Sequence, residues 1–557
     1  MRACSILRRH LHSSAKSIPL VRPQIACIRS HSYLHPYSTP RPKEASTFWI
    51  TFSILAIGGG TWLHNYFSSQ DSPFTPSKGP AQEPFLGRIN TLDVMSLQPA
   101  PGTISTLTPE QEVKLREFWI LALKVFGVKL DALNLNAKPT AEPSAAEKEK
   151  DKGKKKSKHR WFGRGGDDEE DTKSVTSVSS NLASINITDG DDKYGQSKEF
   201  QQALQEMTPD EIRTSFWNMV KHDNPDSLLL RFLRARKWDV NKALIMLIST
   251  MRWRLQDVHV DDDVMANGEA QALKQSQSSD PIEKKNGEEF LLQMRLGKSF
   301  LHGVDKFGRP ICVVRVRLHR AGDQQPEPLE RFTVYTIETA RLLLNHPVET
   351  ATIIFDMTGF GLANMDYTPV KFMIKCFEAN YPESLGAVLI HKAPWVFSSI
   401  WSVIKGWLDP VVASKINFTK NREDLEAFIA PGQIMKELDG DEQWEYEYKE
   451  PQKDENIKME DTETRDALLA ERQKLAVEIQ DTTIEWIGAS LKKETEAVSA
   501  VQEKRNDLIA QLRKQYWELD PYIRTRSLYD RINIIQPGGT VEFYPAAENA
   551  DSKEVAA

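Results

Sequence analysis

The pattern of apolar and polar positions changes character repeatedly along the chain. Phe48 to Leu63, FWITFSILAIGGGTWL, is a run of 16 uncharged residues. Extended to Phe67 it reaches the roughly 17–25 residues that a membrane-spanning helix needs, and Trp49, Trp62 and Tyr66 stand where interfacial aromatics belong. Residues 44–67 are therefore expected to be a transmembrane segment; a buried apolar segment is the alternative. Residues 68–107 are rich in Pro, Ser, Thr and Gly and read as a linker. A helical segment, 108–137, opens at Thr108, with Pro109 in its first turn and Glu110 and Glu112 favouring the helix dipole. Periodicity is lost over 138–198, where KDKGKKKSKHR precedes GDDEEDTKSVTSVSSN; such blocks of charge predict a disordered linker.

Helical patterning returns over 199–257, with starts at Thr208-Pro209 and Asn224-Pro225. Residues 258–288 are polar again and read as a disordered insertion. From 289 to 445 the pattern is that of a compact α/β sheet. A strand, a turn at Asp305 to Pro310 and a second strand lead into a helix from about Leu329 to Leu344. A buried strand ending at Asp356, a helix from about Thr368 to Glu378 and the strand AVLIHKAP follow. Then comes a very apolar helix, Trp395 to Leu408, bounded by Pro394 and Pro410. Phe397, Ile400, Trp401, Ile404, Trp407 and Leu408 form its wide apolar face, with Ser398, Ser402 and Lys405 as a narrow polar stripe. Such a helix packs into a core or lies at a bilayer interface. Residues 458–520 form a helical extension with partial heptad spacing, expected to be a long helix or hairpin packing back on the α/β domain. A coiled-coil site for a protein partner, through 460–519, is the alternative. Gly488 is its candidate break and Pro521 its expected end; 521–557 reads as a docking segment and tail.

Composition narrows the function classes. Net charge is −6, which gives no electrostatic footprint for nucleic acid. The four cysteines, Cys4, Cys27, Cys312 and Cys376, match no metal-ligand spacing and are expected to be free thiols; no metal or cofactor is expected. Residues 1–43 carry eight Arg or Lys and no acidic residue, the composition of a mitochondrial transit peptide, with a disordered basic arm as the alternative. The expected location is a mitochondrial membrane if that leader is used. It is the cytoplasm or a membrane surface if translation starts at Met95.

The candidate chemistry lies in two stretches. Arg231, Arg234, Arg236 and Lys237 crowd one helix, as either a solvated face or a phosphate site, to which the planar guanidinium fork is suited. Far along the chain, Phe377 to Phe418 sets polar residues beside the apolar helix. FLRARKW, DKFGRPI, IIFDMTGFG and EANYPESLGAVLIHKAPWVFSSIWSVIKGWLDPVVASKI occur in that order, and over about 199–445 the chain resembles the CRAL-TRIO family of yeast-type phosphatidylinositol/phosphatidylcholine transfer proteins. It looks closest to the larger fungal members, which carry a C-terminal helical extension. The resemblance implies a helical N-terminal lobe plus an α/β lobe enclosing a lipid. It implies that Arg236, Lys237 and Lys415 pair the lipid phosphate, and that Glu383 accepts inositol hydroxyls or orients Lys415. It also implies that the helix bearing Trp395, Phe397, Ile400, Trp401, Ile404, Trp407 and Leu408 gates the cavity and meets the membrane. Ser384 and Val412 depart from the family pattern, which has arginine and threonine there in its best-known member, so squalene, sterol-like or other apolar ligands stay open. The expected function is non-catalytic lipid transfer. A membrane-tethered lipid-sensing adaptor is the alternative, and phosphotransfer at Asp356 a remote one. His302, His319, His346 and His391 are scattered and read as structural or surface histidines.

Overall fold

The computed structural model describes residues 100–133 and 192–544. The leader, the apolar span, most of the charged linker and the final residues lie outside the described residues, as do Cys4 and Cys27. Among the described residues no helix is long and apolar enough to cross a membrane.

Helix α1 (Pro109–Val125) starts where the Gln111 amide donates to Thr108 Oγ1 (3.3 Å) while the Thr108 amide donates to Gln111 Oε1 (3.1 Å), a reciprocal cap. It is buried along most of its length and anchored by Trp119 Nε1 donating to Asp226 (2.7 Å). With α2 (Gln196–Glu206), α3 (Pro209–Val220), α4 (Pro225–Ala235) and α5 (Val240–Arg252) it builds one hydrophobic core. The chain before it contributes too: the Gly102 carbonyl accepts from Arg234 (2.9 Å), so the expected linker gives way to ordered structure by residue 100.

The segment 258–288 is not a disordered insertion. A helical turn over Val260–Met265 runs into α6 (Ala266–Ser276), and Asp280 caps α7 (Pro281–Leu296) by accepting from the amides of Ile282 and Glu283. Val260, Val264, Met265 and Ala272 are buried, and three of the acidic residues that give the stretch its polar look are held in ion pairs. Asp261 pairs with Arg254 (2.8 Å), Asp263 with Arg331, and Glu269 with Arg531.

Five strands follow in spatial order β1 to β5: Ser299–Val304, Pro310–Arg315, Ala351–Asp356, Leu385–His391 and Ile416–Thr419. The first pair is antiparallel and the rest parallel. Parallel strands laid down in sequence order, each joined by a right-handed crossover, place their connecting helices on one face of the sheet. Those helices are α8 (Pro326–Leu342), α9 (Tyr367–Lys375) and α10 (Phe397–Lys405). Strand alternation then divides the sheet. Ile311, Val313, Ile354, Ala387 and Leu389 pack under the segment containing Leu425, Ile429 and Ile434, while Cys312, Ile353, Val388 and Ile390 face the crossover helices. Cys312 and Cys376 are free and buried, and burial pushes both thiols up to about 12.

The C-terminal extension is a hairpin of α11 (Thr462–Leu491) and α12 (Thr495–Ile523). It breaks at Lys492 to Glu494 rather than at Gly488, and Pro521 sits inside its last turn. Leu475, Ile479, Ile487, Leu508 and Leu512 join the core of the N-terminal lobe, and Arg505 makes two 2.9 Å hydrogen bonds to Asp226. The apolar stripe of this hairpin is thus occupied within the chain, mainly by the N-terminal lobe. The docking segment is ordered: Leu528, Tyr529 and Ile535 are buried beside the sheet, and Tyr529 Oη accepts from the Leu301 amide (2.7 Å).

Candidate functional site

Register turns the sheet face into the floor of a cavity. Cys312 lies opposite Ile353, Ile353 opposite Val388, and Val388 opposite Ile416, so four strands present one continuous apolar row. All four residues line a cavity of about 240 Å³, with Val314, Phe355 and Ile390 as a second row. Helix α8 supplies Phe332, Thr333, Thr336 and Ile337, one face at helical spacing, and α9 supplies Val370, Met373 and Ile374. Polar groups gather at one end. Lys298 is buried there and pushed down to about 8 by burial, and His319, lowered by burial and the Lys298 charge, lies 3.3 Å from Asp366.

Helix α10 forms one wall of this cavity. Phe397, Trp401, Ile404 and the following Leu408 line it, and Ile400 is buried beside them. Trp395 does not. It precedes the first helical turn, points away from the cavity and is 88% exposed, so its expected place in the cavity wall is corrected to the outer surface. Trp407 sits at the rim, edge-on to Tyr367 (5.2 Å) with Lys371 over its ring (4.7 Å).

Beside the cavity lies a polar cleft of about 300 Å³, and it contains Arg236, Lys237, Glu383 and Lys415 together. Arg236 ends α4, and the positive φ of Lys237 (51°) and Trp238 (66°) turns the chain sharply so that the Lys237 side chain is exposed. Lys415 Nζ lies 3.0 Å from Glu383 Oε2, and Arg236 donates to Gln196 Oε1 (2.6 Å). The other two members of the basic cluster serve the fold: Arg231 pairs with Asp223, and Arg234 with Glu349 (2.9 Å). Phe377, Leu385, Leu408 and Val412 line both the polar cleft and the apolar cavity, so the two abut through a shared wall. Ser384, where the family pattern has arginine, turns its hydroxyl onto the Tyr381 carbonyl (2.6 Å).

Sequence reasoning missed a cluster at the rim. Glu378 accepts from Lys193 (2.7 Å), from Tyr194 Oη (2.6 Å) and from the Asp409 amide (2.7 Å), and Lys193 also donates to the Trp407 carbonyl. Burial and the Glu378 carboxylate push the Tyr194 phenol above its usual range. Glu378 thereby ties the entry to α2 to the chain that follows α10. Residues 192–198 had been assigned to the disordered linker, and Glu378 gave no signal within its own stretch. Asp356 is buried, paired with Arg317, and accepts from the Thr358 amide (3.0 Å) at the end of β3.

Residues 294–440 match the CRAL/TRIO domain, and residues 196–249 match the CRAL/TRIO N-terminal domain. A CRAL-TRIO domain-containing protein of Schizosaccharomyces pombe is 39% identical over 438 residues, which cover 77% of this chain and 91% of the relative. The chain belongs to the CRAL-TRIO family. The phosphatidylinositol transfer protein CSR1 of Eremothecium gossypii is also 39% identical, over 443 residues covering 78% of this chain and 98% of that protein. Both likenesses extend well beyond 196–440. The phosphatidylinositol/phosphatidylcholine transfer protein SFH7 of Arabidopsis thaliana is 30% identical over 217 residues, 36% of each chain.

Proposed function

We propose that this protein encloses a phospholipid, with phosphatidylinositol as the preferred head group, and exchanges it between membranes. The observation that carries the reading is the shared wall: a cleft holding Arg236, Lys237, Glu383 and Lys415 abuts an apolar cavity through Phe377, Leu385, Leu408 and Val412. A diacyl lipid hides about 30 methylenes, and exposing them to water costs on the order of 20–25 kcal/mol. A carrier therefore needs both a dry chamber and a movable wall. The name of the Eremothecium relative, a phosphatidylinositol transfer protein, supports the same class of ligand. The test is transfer of labelled phosphatidylinositol from donor to acceptor vesicles; no transfer above the protein-free rate contradicts the proposal.

Helix α10 is the movable wall in this reading, and Glu378 is its latch. Hydrogen bonds to a charged acceptor contribute about 1.5–3 kcal/mol each, so Glu378→Gln, which weakens several at once, is expected to speed lipid exchange several-fold in a stopped-flow transfer assay. An unchanged or slower rate removes the latch. Trp395, 88% exposed at the foot of the lid, is the membrane contact. Trp395→Ser is expected to reduce vesicle association several-fold in a flotation assay. The lipid load should stay unchanged, because this side chain does not line the cavity.

A further inference from the structure

A second polar cleft, of about 430 Å³, shares no lining residue with the lipid cavity or the head-group cleft. Its size falls within the roughly 300–1,000 Å³ of small-molecule sites. Its walls come from the turn between α3 and α4, from α4 itself, from the loop after α8, from α12 and from residues 538–541. Part of it is therefore built from the C-terminal extension, outside both matched domains.

The charges on these walls do not cancel. Lys221, Arg231, Arg341, Arg513 and Lys514 line the cleft against a single carboxylate, Asp223. Three of the cations have carboxylate partners: Arg231 has Asp223, Arg341 has Glu338 (3.1 Å), and Lys221 has Asp261 and Glu338. Arg513 has none within 4.0 Å among the described residues, and its Nε donates only to the His222 carbonyl (3.1 Å). Lys514 has a 3.6 Å contact to Glu518, and its side chain is 83% exposed, a surface pair of little strength. Arg231 is 6% exposed, yet its Nε has no hydrogen-bond partner. His222 is lowered to about 4 by burial, and His346 is lowered by burial and then by Arg513, so neither adds charge at neutral pH. Trp517 packs against the His222 ring (4.9 Å) and offers a flat wall.

We infer that this cleft binds a small ligand carrying at least two phosphate groups, held chiefly by Arg513 with Lys514. Guanidinium groups pair phosphate oxygens bidentately, and a cleft with surplus cation and neutral histidines selects polyanions over monoanions. The ligand is either a soluble polyphosphate or the phosphorylated head group of a lipid, since the same donors serve both.

The experiment titrates the full chain with inositol 1,4,5-trisphosphate by calorimetry. In parallel, it sediments the chain with vesicles containing phosphatidylinositol 4,5-bisphosphate or phosphatidylinositol alone. Expected is one saturable trisphosphate site, weakened at least tenfold by Arg513→Gln and several-fold by the exposed Lys514→Gln. If the bisphosphate vesicles also bind in an Arg513-dependent way, the source is a lipid; if they do not, it is a soluble ligand. No binding by the wild type overturns the inference. So does binding lost in Lys415→Ala but kept in both α12 variants, because the anion would then sit in the head-group cleft.

Discussion

Lys415→Ala is expected to lower vesicle-to-vesicle transfer of phosphatidylinositol by at least about tenfold. Lys415 and Glu383 stand 3.0 Å apart in the polar cleft, each side chain about one-fifth exposed (20% and 21%). A phosphate arriving there takes the ammonium as a charge-assisted donor, and Glu383 is released to accept from hydroxyls. Losing one such contact costs about 1.5–3 kcal/mol, roughly a 10- to 150-fold change in an equilibrium. The apolar cavity does not include Lys415, so the variant should still hold lipid chains. Transfer of a lipid without the inositol head should fall far less. Measuring both lipids with wild type and variant separates loss of head-group recognition from loss of the chamber. Equal loss of both would point to damage of the fold instead.

Glu269→Ala is expected to destabilise the protein by about 3–5 kcal/mol, the range for breaking a buried ion pair by removing one partner. Glu269, fully buried in α6, is where three distant segments meet. It accepts from Tyr335 Oη (2.9 Å) on α8, from Tyr448 Oη (2.9 Å) and from the Leu528 amide (2.9 Å), and it pairs with Arg531. Removing it leaves Arg531, only 3% exposed, with Glu455 (3.1 Å) as its remaining carboxylate. Three further donors lose their acceptor. Glu269→Gln keeps an acceptor and should cost less. Urea unfolding reads the stability, and limited proteolysis after residue 520 reads whether the docking segment has come loose. Unchanged stability and protection in Glu269→Ala would show that the C-terminal segment is held by its apolar contacts alone.

The α/β core was legible because its signals are local. Asp305 shows this: the turn it was expected to start is closed by its carboxylate accepting from the amides of Phe307 (2.9 Å) and Arg309 (3.0 Å). Strand alternation, the apolar face of α10 and the helix caps at Thr108 and Thr208 are likewise written in neighbouring residues. Glu269 shows what is not local. Its partner Arg531 lies 262 residues away, so α6 carried the composition of a disordered tract while being part of the core. The Glu378 cluster is silent in the sequence for the same reason, since Lys193 and Glu378 are 185 residues apart. The resemblance singles out Arg236, Lys237, Glu383 and Lys415, and the structure brings these four into one cleft. Trp395 lies two residues before the Phe397 start of the helix, so the apolar pattern alone does not tell it from the helix's buried face.

We propose that the cleft and the cavity together form one phospholipid site. Its most direct test is mass spectrometry of lipid extracted from the purified full chain, wild type beside Lys415→Ala. The account predicts close to one phospholipid per wild-type chain, enriched in phosphatidylinositol, and loss of that enrichment in the variant while other lipids remain. Lipid-free wild type, or phosphatidylinositol retained undiminished without Lys415, would contradict it.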